Sequence, residues 1–205
     1  TIVVDDQSDD GTAEVARRNS ATVVLSGDVP PGWVGKTWAC WQGARQATGE
    51  VFVFLDADAF LEPDGLEKMT SSLRGGELVS VQPFHVVERS YERLSAIFNI
   101  IVMSSVNAFS IFASAVKPAG AFGPCIICRK DAYFAVGGHE RVRGEILEHF
   151  ALGKEFMRTG RPLRLYGGKG ALSFRMYPGG FASLFAGFAR SFATGAGSMS
   201  ILTLF

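Results

Sequence analysis

Four short apolar runs, at residues 2–4, 22–25, 51–55 and 78–81, punctuate the first third of the chain, and between them lie amphipathic stretches at 12–19, 36–48 and 64–74. Runs this short and this free of polar interruption are strands covered on both faces. Strands separated by helical stretches pair in parallel through right-handed crossovers. The rhythm therefore predicts a βαβαβ arrangement, in which ligands meet the protein beyond the carboxyl ends of the strands. Two acidic clusters stand at those ends: Asp5, Asp6, Asp9 and Asp10 after the first run, and Asp56 and Asp58 after the third. With 205 residues, 47% of them hydrophobic, the chain can bury roughly 70% of its unfolded surface and support a full core.

The formal net charge is zero, which argues against a protein that grips nucleic acid by bulk positive charge. The balance is uneven along the chain. Residues 1–93 carry 8 basic and 15 acidic side chains, and residues 94–205 carry 12 basic and 5 acidic. Either the two halves attract each other within one fold, or they face different partners. Three cysteines, Cys40, Cys125 and Cys128, are too few for a disulfide framework. A lone C-x-x-C at 125–128 is half a zinc site at most and reads as buried structure. The chain has no initiator Met and begins directly on an apolar run, so it is expected to be a fragment of a longer protein.

Residues 94–116 contain no charge and are flanked by Arg93 and Lys117. Their length suits a bilayer span, yet the Ser and Asn residues gather on one side, so a helix in the membrane interface, a core helix and a span all fit. Near the end, Phe181, Phe185, Phe188 and Phe192 recur at helical spacing and lead into the uncharged residues 191–205. This pattern favours a membrane-facing helix over a core one. The organisation expected is a catalytic domain over 1–178, then an amphipathic interfacial helix over 179–205 leading to a truncated transmembrane segment.

Two hard carboxylates spaced like Asp56 and Asp58 suit Mg²⁺ or Mn²⁺ with positions left open for phosphate oxygens. The same triplet alone also fits a solvated turn that caps a helix. Carboxylates after the first run can accept hydrogen bonds from a base or ribose, and Lys36, at the start of a helix, can meet a phosphate.

The order of these motifs resembles the family 2 glycosyltransferases of the GT-A fold. Val4-Asp5-Asp6-Gln7-Ser8-Asp9-Asp10-Gly11-Thr12 resembles the nucleotide-binding V-D-D-x-S-x-D-x-T. Gly35-Lys36 through Ala44, then Thr48-Gly49-Glu50, then Phe54-Leu55-Asp56-Ala57-Asp58, resemble the run that ends in F-x-D-A-D. Gly137-Gly138-His139 and Glu145 to Gly153 resemble the G-G-(F/H) and E-D-x-x-L blocks that close the catalytic domain. More narrowly, Pro30 to Cys40 and Arg175-Met176-Tyr177-Pro178-Gly179-Gly180 resemble membrane-bound members that glycosylate isoprenoid lipids of the carotenoid and hopanoid type.

The resemblance implies an α/β protein of the GT-A nucleotide-diphospho-sugar transferase type, with a mostly parallel central sheet flanked by helices and with membrane-interface helices. It implies inverting transfer from a nucleoside-diphosphate sugar, typically a UDP-sugar, to a lipid acceptor at the membrane surface on the cytoplasmic face, with no nucleic acid partner. Asp5, Asp6, Ser8, Lys36, Asp56 and Arg175 would hold the nucleotide sugar, and Asp58 with Asp56 the metal. The family's first strand and following helix would precede Thr1. Its second acid of E-D is matched by His149, so His149 or Glu148 is the expected base, both on a helix expected to start near Gly144. A non-catalytic nucleotide-sugar-binding module and a sugar nucleotidyltransferase are the rival readings.

Overall fold

A computed structural model describes residues 1–108 and 117–198. The first crossover is β1 (Ile2–Asp5), α1 (Thr12–Arg18) and β2 (Thr22–Leu25), with β1 and β2 paired in parallel. Next come α2 (Gly35–Gln46), β3 (Val51–Leu55), β4 (Ala59–Leu61), α3 (Gly65–Ser71), β5 (Leu78–Gln82) and β6 (Phe84–His85). A 3₁₀ turn at Ser90–Leu94 runs into α4 (Ser95–Ser105). The remainder is β7 (Cys125–Arg129), α5 (Lys130–Ala135), α6 (Gly138–Arg141), α7 (Glu148–Arg158), β8 (Leu163–Gly167), β9 (Leu172–Phe174) and α8 (Phe181–Ser198).

The central sheet has the order β3-β7-β5-β8. β3, β5 and β8 run one way, as the parallel reading expects, and β7 is inserted between β3 and β5 antiparallel to both. Side chains alternate strictly across this sheet. Phe52, Leu78, Ile126 and Cys128 enter one core with Tyr133, Leu152 and Phe156, while Val79, Val81, Cys125 and Ile127 enter the other with Met69 and Leu172. Each large side chain so buried contributes roughly 1.5–3 kcal/mol by leaving water. The alternation also settles the C-x-x-C: three residues apart on a strand, Cys125 and Cys128 point to opposite faces, and both are free, buried thiols.

A smaller sheet, β4-β9-β6, leaves the end of β3 through the turn at 56–59. The Asp56 N–H donates to the Pro124 carbonyl at 2.9 Å, and the Ala59 N–H closes on the Asp56 carbonyl at 3.1 Å. The Asp-Ala-Asp triplet is thus the corner between two sheets. Of the uncharged stretch 94–116, α4 spans 11 residues, roughly 16 Å, and Asn107 turns away with φ 57°, so no single helix covers it; residues 109–116 lie outside the described residues. Among the described residues no helix is long and apolar enough to cross a membrane.

Candidate active site

The start of α2 is fastened to the segment that leads into α7. The Val34 N–H donates to the Arg143 carbonyl at 2.9 Å, and the buried Thr37 hydroxyl lies 2.8 Å from the same oxygen. Two helix N-termini are thereby brought to the carboxyl edge of β1 and β3, and with them Lys36 on α2 and Glu148 on α7. Lys36 Nζ bridges Asp56 Oδ1 at 2.8 Å and Glu148 Oε1 at 3.0 Å. Residues 36, 56 and 148, far apart in the chain, form one charged triad in a cleft of about 510 Å³, which Cys40, Gly123 and His139 also line.

Burial alone would raise the Glu148 carboxyl, but the His149 ring and the Lys36 ammonium outweigh it and bring it down to about 2. Burial likewise pulls Lys36 down, and Glu148 with Asp56 reverses that, holding the ammonium charged well above the ordinary lysine range. Burial pushes the Cys40 thiol up to about 12, which removes it as a nucleophile.

His149 follows Glu148 in the first turn of α7, its Nδ1 3.4 Å from Glu148 Oε1, within ionic reach but without a hydrogen bond to it. The ring is seated on Gly123: a Cβ there would lie 3.0 Å from its Cε1 and Nδ1. The helix begins at Glu148, not near Gly144, because residues 142–147 form turns closed by the Glu145 N–H on the Val142 carbonyl. Glu145 is therefore an exposed turn residue and does not share the helix face of Glu148 and His149.

After β1, the buried Asp5 accepts the Ser8 N–H at 3.0 Å, which curls the loop back on itself. Asp6 leans on the start of α2, where Gly35 leaves room: a Cβ would sit 3.2 Å from Asp6 Oδ2. Asp5, Asp6, Ser8, Lys36, Asp56, Glu148 and His149 thus belong to one edge of the molecule.

Asp58 and Arg175 lie elsewhere. Both line a second groove, of about 870 Å³, between the Asp-Ala-Asp corner and the start of α8. Asp56 and Asp58 therefore do not converge: one is neutralised by Lys36 in the cleft, and the other is exposed in the groove with no ion pair among the described residues. Among the described residues no three His, Cys, Asp or Glu side chains gather to enclose a cation. A hard divalent ion would find one carboxylate there, Asp58, and would take its other ligands from phosphate oxygens. Arg175 is committed to acids, with Nη2 2.7 Å from Glu92 Oε1 and Nη1 2.7 Å from Glu88 Oε2.

Three contributors were not visible in the sequence motifs. Gly123 is the floor of the His149 ring, and Gly120 lies under Phe150 with a Cβ position 2.0 Å from that ring. The one signal was the pair of glycines in Lys117-Pro118-Ala119-Gly120-Ala121-Phe122-Gly123-Pro124, next to the C-x-x-C. Glu92, buried without exposure beneath Arg175, gave no signal at all.

The profile of Glycosyl transferase family 2 matches residues 1–134. The chain is 38% identical over 203 residues to a 4,4'-diaponeurosporenoate glycosyltransferase of Staphylococcus haemolyticus, and 41% identical over 201 residues to the protein of that name from Staphylococcus aureus. Each match covers 96% of this chain and 54% of the relative, so the chain spans about half the length of these curated relatives. A mycobacterial protein of known crystal structure superposes with a TM-score of 0.49 at 18% identity, over 85% of this chain and 54% of that one. The chain belongs to glycosyl transferase family 2, which sets aside the nucleotidyltransferase alternative.

Proposed function

We propose that the protein transfers a sugar, with inversion, from a nucleoside-diphosphate donor such as a UDP-sugar to an isoprenoid-type lipid, the class of acceptor that its relatives' name states. The observation that carries this reading is the junction of Lys36, Asp56 and Glu148 at the carboxyl edge of the sheet, with His149 adjoining it. Asp5, Asp6 and Ser8 hold the nucleoside, and Lys36 stands at a helix start where a phosphate is favoured. Asp58 would hold Mg²⁺ or Mn²⁺, and a cation bound there would supply positive charge for the departing diphosphate.

The proton chemistry falls to His149. Glu148, with its carboxyl near 2 and its charge engaged by Lys36, is a weak base that fixes Lys36 and flanks the imidazole. His149 takes the proton of a hydroxyl acceptor; a carboxyl acceptor arrives ionised at neutral pH and has none to lose. The acceptor is delivered at a membrane surface, on the cytoplasmic face where nucleotide sugars are found, by the apolar side of the molecule formed around α4 and α8.

Titration of the complete protein with a uridine diphosphate sugar and Mn²⁺ tests the assignment. Asp58→Ala abolishes the metal-dependent part of binding, whereas Asp64→Ala, exposed at the start of α3 with no side-chain cap, changes little. Equal binding by the two variants overturns the role of Asp58. Donor binding with no transfer to any lipid favours a non-catalytic module.

A further inference from the structure

The two ring nitrogens of His149 are not equivalent. Nδ1 is buried, has no hydrogen-bond partner among the described residues and lies 3.4 Å from Glu148 Oε1. The edge formed by Nδ1 and Cε1 is also the one that covers Gly123, where a Cβ would lie 3.0 Å from both atoms. The side chain is nonetheless 21% exposed, and with Nδ1 covered that exposure belongs to the side of the ring that carries Nε2 and Cδ2. One nitrogen faces the protein's own carboxylate, and the other faces outward.

Both supports of the ring are themselves held. On either side of Gly123 the backbone is tied down: the Phe122 N–H donates to the buried Ser80 hydroxyl at 2.8 Å, that hydroxyl donates back to the Phe122 carbonyl at 3.1 Å, and the Pro124 carbonyl accepts the Asp56 N–H at 2.9 Å. The floor under the ring therefore does not give way. The Glu148 side chain is 5% exposed, and its Oε1, the oxygen that faces His149, also meets Lys36 Nζ at 3.0 Å. Burial opposes its ionisation, but the His149 ring and Lys36 prevail and keep the carboxyl at about 2. An ionised carboxylate only accepts, so the ring nitrogen that faces it carries the hydrogen. The tautomer of a histidine is set in this way by the hydrogen bond at one nitrogen, and the other nitrogen is left with its lone pair.

We propose that Glu148 is the positioning residue of His149: it fixes the ring as the tautomer with hydrogen on Nδ1 and turns Nε2, with its lone pair, toward the acceptor. The assignment rests on the sugar-transfer reading. Catalytic hydrogen bonds are often long in a resting enzyme, and the 3.4 Å between Nδ1 and Oε1 closes as the ring takes up charge. Nε2 receives the proton of the acceptor hydroxyl. The hydroxyl oxygen forms the bond to the anomeric carbon as the bond from that carbon to the diphosphate oxygen breaks, and the electron pair leaves with the diphosphate. The imidazolium that results has its Nδ1–H on Glu148, which balances the new charge where it arises. It loses its proton to solvent after the product departs. Lys36 belongs to the same arrangement, because it is the cation that keeps the buried Glu148 ionised and in place.

Nitrogen-15 spectra of the histidine-labelled complete protein in nanodiscs, taken at about pH 8, above the ordinary histidine range, read the tautomer directly, and the resonances lost in His149→Asn assign it. The wild type shows His149 protonated at Nδ1 and bare at Nε2. Glu148→Gln, whose amide can donate to Nδ1, moves the hydrogen to Nε2. In the same variant kcat with retinol as acceptor falls by about 10²-fold or more while KM for the uridine diphosphate sugar changes by less than about threefold. Transfer to retinoic acid, ionised and with no proton to remove, falls by less than about tenfold. A wild-type ring protonated at Nε2 overturns the proposal, and that spectrum decides by itself should Glu148→Gln fail to fold. Equal losses with the alcohol and the acid overturn it as well, because a purely structural role lowers both alike. A wild-type protein that binds no uridine diphosphate sugar strikes the sugar-transfer reading itself; intact donor binding with His149 protonated at Nε2 strikes only the role of Glu148.

Discussion

His139 and His149 stand ten residues apart and sit in different surroundings: His139 in the core, His149 half-buried beside Glu148. His139 is 2% exposed; its backbone N–H donates to the Tyr133 hydroxyl at 2.9 Å, and that hydroxyl lies 2.8 Å from the ring Nδ1. Burial lowers the ring's pKa to about 4 and so favours the neutral imidazole. Above pH 6.5 the ring is neutral folded or unfolded. As pH falls from 6.5 to 4 the unfolded chain takes up a proton that the folded one refuses, so stability declines by up to about 3 kcal/mol across that window. Thermal melts over pH 7 to 4 should show the decline, and His139→Phe should flatten it at some cost in stability at pH 7, since Tyr133 loses its hydrogen-bond partner on the ring. An unchanged slope in the variant would show that other groups carry it.

At the scale of elements, the decisive contact is the seating of α7 on the loop before β7. Gly120 and Gly153 have no room for a Cβ, and Gly123 has little: at Gly153 it would lie 2.8 Å from the Ala121 nitrogen, and at Gly123 3.0 Å from the His149 ring. Gly123→Ala forces the His149 ring to yield by a few tenths of an ångström while Lys36 and Asp56 stay in place. Transfer to an alcohol acceptor should fall about tenfold or more with donor affinity kept, since misplacing a catalytic group lowers the rate of the chemical step. His149→Ala should cost on the order of 10²-fold with an alcohol and less than about tenfold with an ionised acid, which has no proton to remove. Steady-state rates with matched acceptors check both, and equal losses with alcohol and acid would refute the base role.

Across the whole molecule, the uneven charge of the chain is partly resolved by the fold. Arg164 pairs with Glu77, and Arg175 with Glu88 and Glu92, so cations of the second half meet acids of the first. The apolar surface is not resolved in that way. At the start of α4 polar side chains face the protein: the Ser95 hydroxyl lies 3.1 Å from His85 Nε2, and Asn99 reaches Gln82, while Ile100 on the helix and Leu94 just before it are exposed. On α8, Leu184 is buried and Phe188 stacks edge-on to Tyr177 at 5.9 Å, leaving Phe181 and Phe185 outward; the Phe192 side chain lies outside the described residues. The three described Phe residues of the stripe therefore divide between packing and display. Phe181→Ser with Phe185→Ser should lower liposome flotation at least tenfold and shift the melt little, because each exposed Phe entering lipid is worth roughly 1.5–3 kcal/mol. Leu184→Ser, at 3% exposed, should instead destabilise the domain by roughly 2–5 kcal/mol. Flotation unchanged by the double substitution would exclude this face as the membrane contact.

Apart from β4, three residues long after the corner at Asp58, the strand and helix order of the first 82 residues is legible in the chain because buried strands and amphipathic helices write their periods directly into it: the runs at 2–4, 22–25, 51–55 and 78–81 match β1, β2, β3 and β5 to within a residue. The acids after β1 and β3 are legible for the same reason, since strand ends in such sheets are the ligand edge. Local pattern says nothing about partners far away in the sequence. That β7 enters the sheet antiparallel, that Lys36 answers both Asp56 and Glu148, that α7 starts three to four residues late, and that Arg175 leaves the nucleotide cleft for Glu88 and Glu92 are all outcomes of packing between distant segments. Asp56 and Asp58, two residues apart, end in different cavities because the chain turns a corner between two sheets there, and the direction of a corner is set by what the two sheets pack against.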